Sequence, residues 1–174
     1  MAAMDLFRKK GVEATTVEEI VGRAGVSKGT YFFHFPAKER VFGTYVEVLA
    51  QDLLPSLPEW LALPPLEGIR AARDAITASA EADRNFIPYV AREELFSPDD
   101  CQTSPLEVVF LPLVQRAQQA GVLRSDLEAR ACVYHLLSNY LINLIWAFRL
   151  PNVTLADFLN QAMLLAVDGL RPRP

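Results

Sequence analysis

The sequence predicts an all-α protein in which a small N-terminal helix-turn-helix unit precedes a larger helical domain. Apolar residues recur at helical spacing along most of the 174 residues, and no segment alternates apolar and polar residues as a strand does. Most of the twelve prolines fall between the periodic segments, where they end one helix or begin the next. Because half of the residues are apolar, a chain of this length can bury a core in each part.

Residues 15–25 have the signals of a short, sharply bounded helix. The Thr16 hydroxyl can accept from the N–H of Glu19 while the Glu19 carboxylate reaches back to Thr16, which is a capping box. Apolar residues follow at the spacing of one helix face: Val17, Ile20, Val21 and Ala24. Gly25 suits the left-handed conformation at a helix end, and Ser27 is the N-cap of the next helix.

The second helix of the pair, residues 28–34, is too short to persist alone and must be held by tertiary contacts. Tyr31 and Phe35 lie four residues apart, so they can face the core together. The other side is then left for a groove of DNA and comprises Ser27, Lys28, Gly29, Thr30, Phe32, Phe33 and His34. This pattern predicts a DNA-reading helix-turn-helix.

These residues resemble the TetR (tetracycline-repressor-like) family of bacterial transcriptional regulators. The resemblance includes Leu6-Phe7, Gly11, the run 15–20, the run 24–30, His34-Phe35 and Lys38-Glu39. It implies a cytoplasmic homodimeric regulator, a repressor that a small-molecule effector releases from a palindromic operator in double-stranded DNA. Family members carry a further helical turn and a basic arm before the position of Met1, so we expect this sequence to be shortened there.

Two phenylalanines depart from the family pattern, which usually has tyrosine at the position of Phe32 and often a polar-tipped aromatic residue at that of Phe33. Neither ring can bind a phosphate, but both can contact thymine methyl groups or deoxyribose. Phosphate contacts are then expected from backbone N–H groups and five side chains: Thr16, Ser27, Thr30, His34 and Lys38.

The charge distribution supports this division of the chain. The net charge is −4, but residues 1–45 carry +2 and residues 46–174 carry −6, and all four lysines lie in the first 38 residues. The basic end is therefore the helix-turn-helix end. We place the DNA-binding domain at residues 1–45 and a helical effector-binding and dimerisation domain at 46–174.

The remaining segments are predicted in chain order from periodicity and from proline and glycine positions. The fourth helix, 37–54, joins the two domains and ends at Pro55, and a linker-like run then extends to Pro64-Pro65. Pro88 suits a first helical turn, whereas Pro112 should bend its helix. The further helices are expected at 66–82, 85–96, 105–120 and 127–148, followed by a last helix that Thr154 caps and that Gly169 and Arg171-Pro172 stop.

The last two helices are expected to form a four-helix dimer interface. The helix 127–148 has an apolar face on each of two sides, which a small domain has too little interior to hide. The residues assigned to this interface are Leu137, Tyr140, Leu144, Phe148, Leu155, Phe158, Leu159, Ala162 and Ala166. A dimer also provides two recognition helices for a palindrome.

The effector is expected to be an apolar or aromatic small molecule. Candidate pocket residues are the aromatic Tyr89, Phe96 and Phe110 and the polar or aromatic His135, Asn139 and Trp146 on the opposite face of the helix 127–148. His135 and Asn139 need polar partners, which can equally be neighbouring backbone groups.

Other functional classes have little support in the sequence. No nucleophile–base pattern, metal spacing or phosphate-binding glycine loop occurs, so we expect neither enzymatic activity nor a metal or cofactor. Cys101 and Cys132 form no metal or disulfide pattern, and a redox role for Cys101 stays open. Polar residues interrupt the uncharged run 131–148, which excludes a membrane span. The alternative that remains is a protein-interaction module that has lost DNA binding.

Overall fold

The computed structural model describes residues 2–96 and 104–172, without the side chain of Phe96, and confirms the all-α fold. Ten α-helices and no strands occur in these ranges. The helices are α1 (Ala2–Lys10), α2 (Val17–Ala24), α3 (Lys28–His34), α4 (Val41–Leu53), α5 (Leu57–Ala62), α6 (Pro65–Ala82), α7 (Ile87–Phe96), α8 (Glu107–Gln119), α9 (Ala129–Ala147) and α10 (Leu155–Asp168).

The helix-turn-helix has the caps that the sequence predicts. The Thr16 hydroxyl accepts from the Glu19 N–H at 3.3 Å, and the Thr16 N–H donates to the Glu19 carboxylate at 2.9 Å. Gly25 ends α2 at φ +69°, where a residue with a side chain would be strained. Tyr31 is buried against the core of α1 and α2, while the rest of α3 points away from it.

The segment between the fourth helix and Pro65 is helical, so the expectation of a linker is wrong. A 3₁₀ turn at Leu54–Ser56 follows α4 and continues into α5, and Pro55 and Pro58 lie in first turns, which require no N–H from them. α5 buries Trp60 and contacts α6 closely. A side chain at Gly68 would place its Cβ 2.4 Å from the Trp60 carbonyl oxygen.

The helical domain buries a core between α6, α8, α9 and α10. α9 and α10 pack along each other, and α8 covers another side of α9. Thr154 occupies the N-cap position of α10, but its side chain makes no capping hydrogen bond. The predicted start of α10 is therefore confirmed, whereas the predicted side-chain cap is not.

Candidate nucleic-acid interface and effector cavity

The surface of α3 is open to solvent along the side that the sequence assigns to DNA. Phe33 is 84% exposed and Phe32 47% exposed, whereas Tyr31 on the opposite side is only 5% exposed. The Ser27 hydroxyl accepts from the Thr30 N–H at 3.0 Å, which fixes the start of the helix. Gly29 and His34 are exposed as well, so α3 presents a contiguous surface to a partner.

Two lysines assigned to DNA already have protein partners. The Lys28 ammonium pairs with the Glu18 carboxylate of α2, and hydrogen bonding by Lys28 lowers the pKa of Glu18. Lys38 is half-buried and donates to the backbone oxygens of Val12 at 2.9 Å and Thr15 at 3.3 Å. Lys38 therefore anchors the α1–α2 connection, which the sequence did not indicate, and its phosphate contact stays a prediction.

The electrostatics of the interface are more balanced than the residue count suggests. Lys10 pairs with Glu19, and its hydrogen bond is the main reason that the pKa of Glu19 falls to about 2. Arg23 pairs with Asp5 at 2.8 Å across α1 and α2. Because these cations are partly neutralised, the DNA contacts expected from the helix start and from the exposed rings of α3 gain weight beside charge, and they stay predictions.

The DNA-binding helices are fixed to the helical domain by a buried polar network. Asp83, 5% exposed at the end of α6, accepts from the Arg8 guanidinium at 2.5 and 2.9 Å and from the Tyr45 hydroxyl at 2.9 Å. Burial, together with the negative charge of Asp83, raises the pKa of Tyr45. The network joins α1, α4 and α6 by hydrogen bonds, so it links the DNA-binding helices directly to the helical domain.

An aromatic cluster lies beside this network. The rings of Phe7, Phe42 and Phe86 have centroids 5.3–6.1 Å apart and are all fully buried. Phe7 belongs to α1, Phe42 to α4 and Phe86 to the α6–α7 connection. Since the cluster crosses the expected domain boundary, the two domains share part of one core.

A small cavity lies inside the helical domain between α4, α6, α7 and α9. Its volume is about 30 Å³, and its walls are mainly apolar. The lining includes Tyr45 and Leu49 of α4, Ile76 of α6, Val90 of α7 and Leu144 of α9. The Glu94 carboxyl stands at its edge, where burial raises its pKa, and the Ser104 hydroxyl donates to it at 3.1 Å.

The structure does not place the predicted pocket residues around one cavity, and their contact with an effector stays a prediction. His135 and Asn139 lie on the outer side of α9, with His135 Nε2 3.3 Å from the Ala166 oxygen, and Phe110 is packed in the core at 1% exposure. Tyr89 and Trp146 do share a cleft, which lies outside the α7–α9 pair. The side chain of Phe96 and the residue Cys101 lie outside the described residues.

The cavity residues that the sequence missed are mostly on the opposite face of the same helices. Tyr140 was assigned to a dimer contact, yet it lines the cavity with its hydroxyl 3.3 Å from that of Thr77, and burial raises the pKa of Tyr140 to about 12. The sequence signal available for this residue was a tyrosine among apolar residues. A polar hydroxyl in that setting indicates a need for a partner, but it does not indicate which side of α9 faces the core.

Most of the predicted dimer residues have little surface left for a partner, and their role in a dimer stays a prediction. Six of the nine are at most 8% exposed within a single chain: Leu137, Tyr140, Leu144, Leu159, Ala162 and Ala166. Phe148, Leu155 and Phe158 are half-buried. The large apolar side chains that α9 and α10 expose are instead Ile142, Trp146, Leu164 and Leu165, the last at 75%.

Three further observations concern groups outside this site. Cys132 is buried, and burial raises the pKa of its thiol. Within residues 2–96 and 104–172 there is no cluster of three or more His, Cys, Asp or Glu side chains arranged to hold a metal ion. None of the helices described here is long and apolar enough to cross a membrane.

Comparison with known proteins identifies the family of this helix-turn-helix. Residues 1–44 match the family of bacterial regulatory proteins named tetR. The N-terminal helix-turn-helix is therefore of the tetR type, and the chain is similar to regulators of that family; it is a DNA-binding transcriptional regulator, as the sequence predicts.

Individual relatives extend the similarity to both domains. The chain is 25% identical to the HTH-type transcriptional repressor KstR2 of Rhodococcus jostii, with 97% of this chain and 87% of that protein covered. It is 29% identical to the HTH-type transcriptional regulator RutR of Escherichia coli, with 99% and 88% covered. Among solved structures, FadR of Thermus thermophilus is 26% identical with a TM-score of 0.79, covering 99% of this chain and 93% of that one. FadR is a TetR-family repressor that was solved in complex with lauroyl-CoA.

Proposed function

We propose that this regulator is a cytoplasmic repressor that binds a palindromic operator as a homodimer and leaves it when an apolar effector enters the helical domain. The observation that carries the proposal is the exposure of α3, whose Phe32, Phe33 and His34 face solvent while Tyr31 alone anchors it. An exposed apolar surface such as these two phenylalanine rings lowers the solubility of a protein unless a partner covers it. Within a helix-turn-helix that partner is the major groove.

The homodimer is proposed to form through the outer sides of α9 and α10. These sides expose Ile142, Leu164 and Leu165, each more than 40% accessible, in a protein whose other helices bury most of their large apolar side chains. A stable homodimer of this type buries on the order of 2,000 Å² or more in total. Two copies joined about a two-fold axis would place their α3 helices on successive major grooves of a palindrome.

The effector is proposed to be a fatty acyl-coenzyme A, since the chain resembles FadR along nearly its whole length. A cavity of about 30 Å³ holds little more than a water molecule, so an acyl chain must push the surrounding helices apart. Tyr45 and Leu49 bring α4 into the cavity wall, and α4 also carries Phe42 and the Arg8–Asp83–Tyr45 network. Expansion of the cavity would therefore turn the DNA-binding domain.

The experiment begins with selection of duplexes from a random library by the purified protein. Fluorescence anisotropy then measures affinity for the selected sequence with and without lauroyl-CoA. We expect a palindromic consensus, a marked dependence on salt and release by lauroyl-CoA but not by coenzyme A alone. Ala80 of α6 also lines the cavity, so the variant Ala80→Leu, which fills it, should keep operator affinity and resist release. Selection of no consensus would refute the operator, and unchanged affinity with lauroyl-CoA would refute the effector.

The alternative function, a protein-interaction module, is favoured by one observation, the 84% exposure of Phe33. It predicts binding that does not depend on salt and a Phe33→Ser variant that leaves the weak affinity for DNA unchanged. The same anisotropy titrations distinguish the two functions, since an operator-reading helix should lose affinity when this ring is removed.

A further inference from the structure

A cleft between α6 and α10 has no role in the proposed function. This cleft, which we call the α6–α10 cleft, has a volume of about 280 Å³. Its apolar lining is aliphatic and consists of Leu66, Ile69, Met163, Leu164 and Val167. The described residues that line it and those that line the cavity of about 30 Å³ are different sets. A ligand of this cleft is therefore separate from the proposed effector.

The main polar feature of the cleft is a buried arginine. Arg73 lines it from the middle of α6 and is only 3% exposed. It forms an ion pair at 2.6 Å with Asp74, the next residue along the helix, whose side chain is 65% exposed. Adjacent residues on a helix do not face each other, which limits what Asp74 can satisfy. The Nε atom of Arg73 is buried and has no hydrogen-bond partner within the part of the chain that the structure describes.

A buried guanidinium group with an incomplete set of partners is unfavourable. Arginine keeps its proton in proteins, so it cannot lower this cost by becoming neutral. Buried charges are normally paired and hydrogen-bonded, and a buried polar atom without a partner calls for an explanation. An anion bound in the cleft beside Arg73 supplies both an opposite charge and acceptor atoms.

The other charged residues of the cleft favour a ligand with a single negative charge. Arg70 and Arg171 also line it, and both are exposed. Arg171 pairs with Asp168 at 2.8 Å, whereas no carboxylate pairs with Arg70 within the described residues. With Asp74, the charged lining residues leave one net positive charge. A carboxylate matches this charge, whereas a phosphate dianion would be repelled by the two aspartates.

The floor of the cleft is separate from the surface of the proposed homodimer. Ile69, Met163 and Val167 are at most 8% exposed within one chain, so they offer little to a second copy. Val167 and Leu165 lie about 160° apart around α10, so the cleft and this highly exposed leucine are on opposite sides of the helix. Of the residues named for the proposed contact, Leu164 also lines the cleft. A homodimer of that kind would cover one edge of the cleft but not its floor.

We propose that the α6–α10 cleft binds a small aliphatic monocarboxylate, with the carboxylate beside Arg73 and the alkyl body against Ile69 and Met163. A guanidinium group and a carboxylate form a bidentate, charge-assisted pair. The volume of about 280 Å³ suits a molecule smaller than a drug-sized ligand. This site goes beyond the proposed function and does not depend on it.

Isothermal titration calorimetry of the full chain measures this binding without DNA. The probe is hexanoate, and the matched control is hexanamide, which has nearly the same shape but no charge. Acetate tests whether the alkyl body is needed, and inorganic phosphate tests the kind of anion. We expect hexanoate to bind at least about tenfold more tightly than each of the other three. Equal affinities for hexanoate and hexanamide would overturn the carboxylate site, and tighter binding of phosphate would overturn the choice of a carboxylate.

Arg73→Met tests the buried charge directly, because it removes the guanidinium group but keeps an apolar side chain of similar length. Replacing an incompletely satisfied buried charge in this way is often neutral or stabilising, so the Tm of the ligand-free variant should stay or rise. Hexanoate binding should fall at least about tenfold. Arg84→Ala, which changes an exposed arginine outside the cleft, should alter neither quantity. Unchanged hexanoate affinity in Arg73→Met would overturn the proposal.

Two surface variants test the site without disturbing the core. Arg171→Ala removes an exposed cation and should weaken hexanoate binding severalfold, whereas Asp168→Asn removes the carboxylate that pairs with Arg171 and should strengthen it. Unchanged affinities in both variants would overturn the proposal even if Arg73→Met does not fold. So would a change in the sedimentation of ligand-free Arg171→Ala, because the cleft would then belong to the dimer contact.

Discussion

Asp83→Asn tests the network that joins the two domains. The substitution keeps the shape of the side chain but replaces one acceptor oxygen by an N–H₂ group, which then faces a donor of Arg8 or Tyr45. A hydrogen bond to a charged group contributes about 1.5–3 kcal/mol to stability. The Arg8 side chain is 46% exposed, so water can replace part of the hydrogen bonding that Arg8 loses. The Tyr45 hydroxyl is buried, so water does not replace its lost hydrogen bond in the same way. We therefore expect a loss of about 2 kcal/mol, and a Tm lowered by about 4–8 °C.

Urea denaturation followed by circular dichroism measures this loss. The matched control is Asp168→Asn, because Asp168 pairs with Arg171 at 2.8 Å but both side chains are more than half exposed. The control should cost less than about 0.5 kcal/mol. A double-mutant cycle with Arg8→Gln should show coupling to Asp83. If Asp83→Asn and Asp168→Asn have equal effects, the network does not hold the domains together.

Four further substitutions have expected outcomes. Phe33→Ser should lower operator affinity but leave Tm nearly unchanged, because the ring is 84% exposed; a large loss of Tm would place it in the core. Glu18→Gln should raise operator affinity by removing a carboxylate that competes with phosphate for Lys28, and weaker binding in anisotropy would contradict this. Leu165→Glu should produce a folded monomer in sedimentation at micromolar concentration, whereas a persisting dimer would exclude the proposed interface. Glu94→Gln should stabilise the protein at pH 7, because the raised pKa of this carboxyl means that the unfolded chain loses its proton first as the pH rises above 4.5. In urea titrations the gain should disappear below that pH, and a pH-independent gain would show another cause.

Local features of the helix-turn-helix could be predicted because they depend on residues close in sequence. The capping box joins Thr16 to Glu19, and Ser27 caps through Thr30, each across only three residues. The partners of Lys38 and Arg8 could not be predicted, since Lys38 reaches Val12 across 26 residues and Arg8 reaches Asp83 across 75. Nothing in the sequence restricts such distant pairs until the helices are packed.

The sequence by itself determined the two helices of the helix-turn-helix, the positions of their ends and the exposed side of α3, because periodicity and caps report which residues share a helix face and where that face stops. For α9 it also determined that two sides are apolar. Only the tertiary structure decided that Tyr140 and Leu144 face the protein's own cavity while Ile142 and Trp146 face outward. A helical period groups residues into faces but carries no information about what covers each face, since that depends on the docking of α6, α8 and α10 around α9.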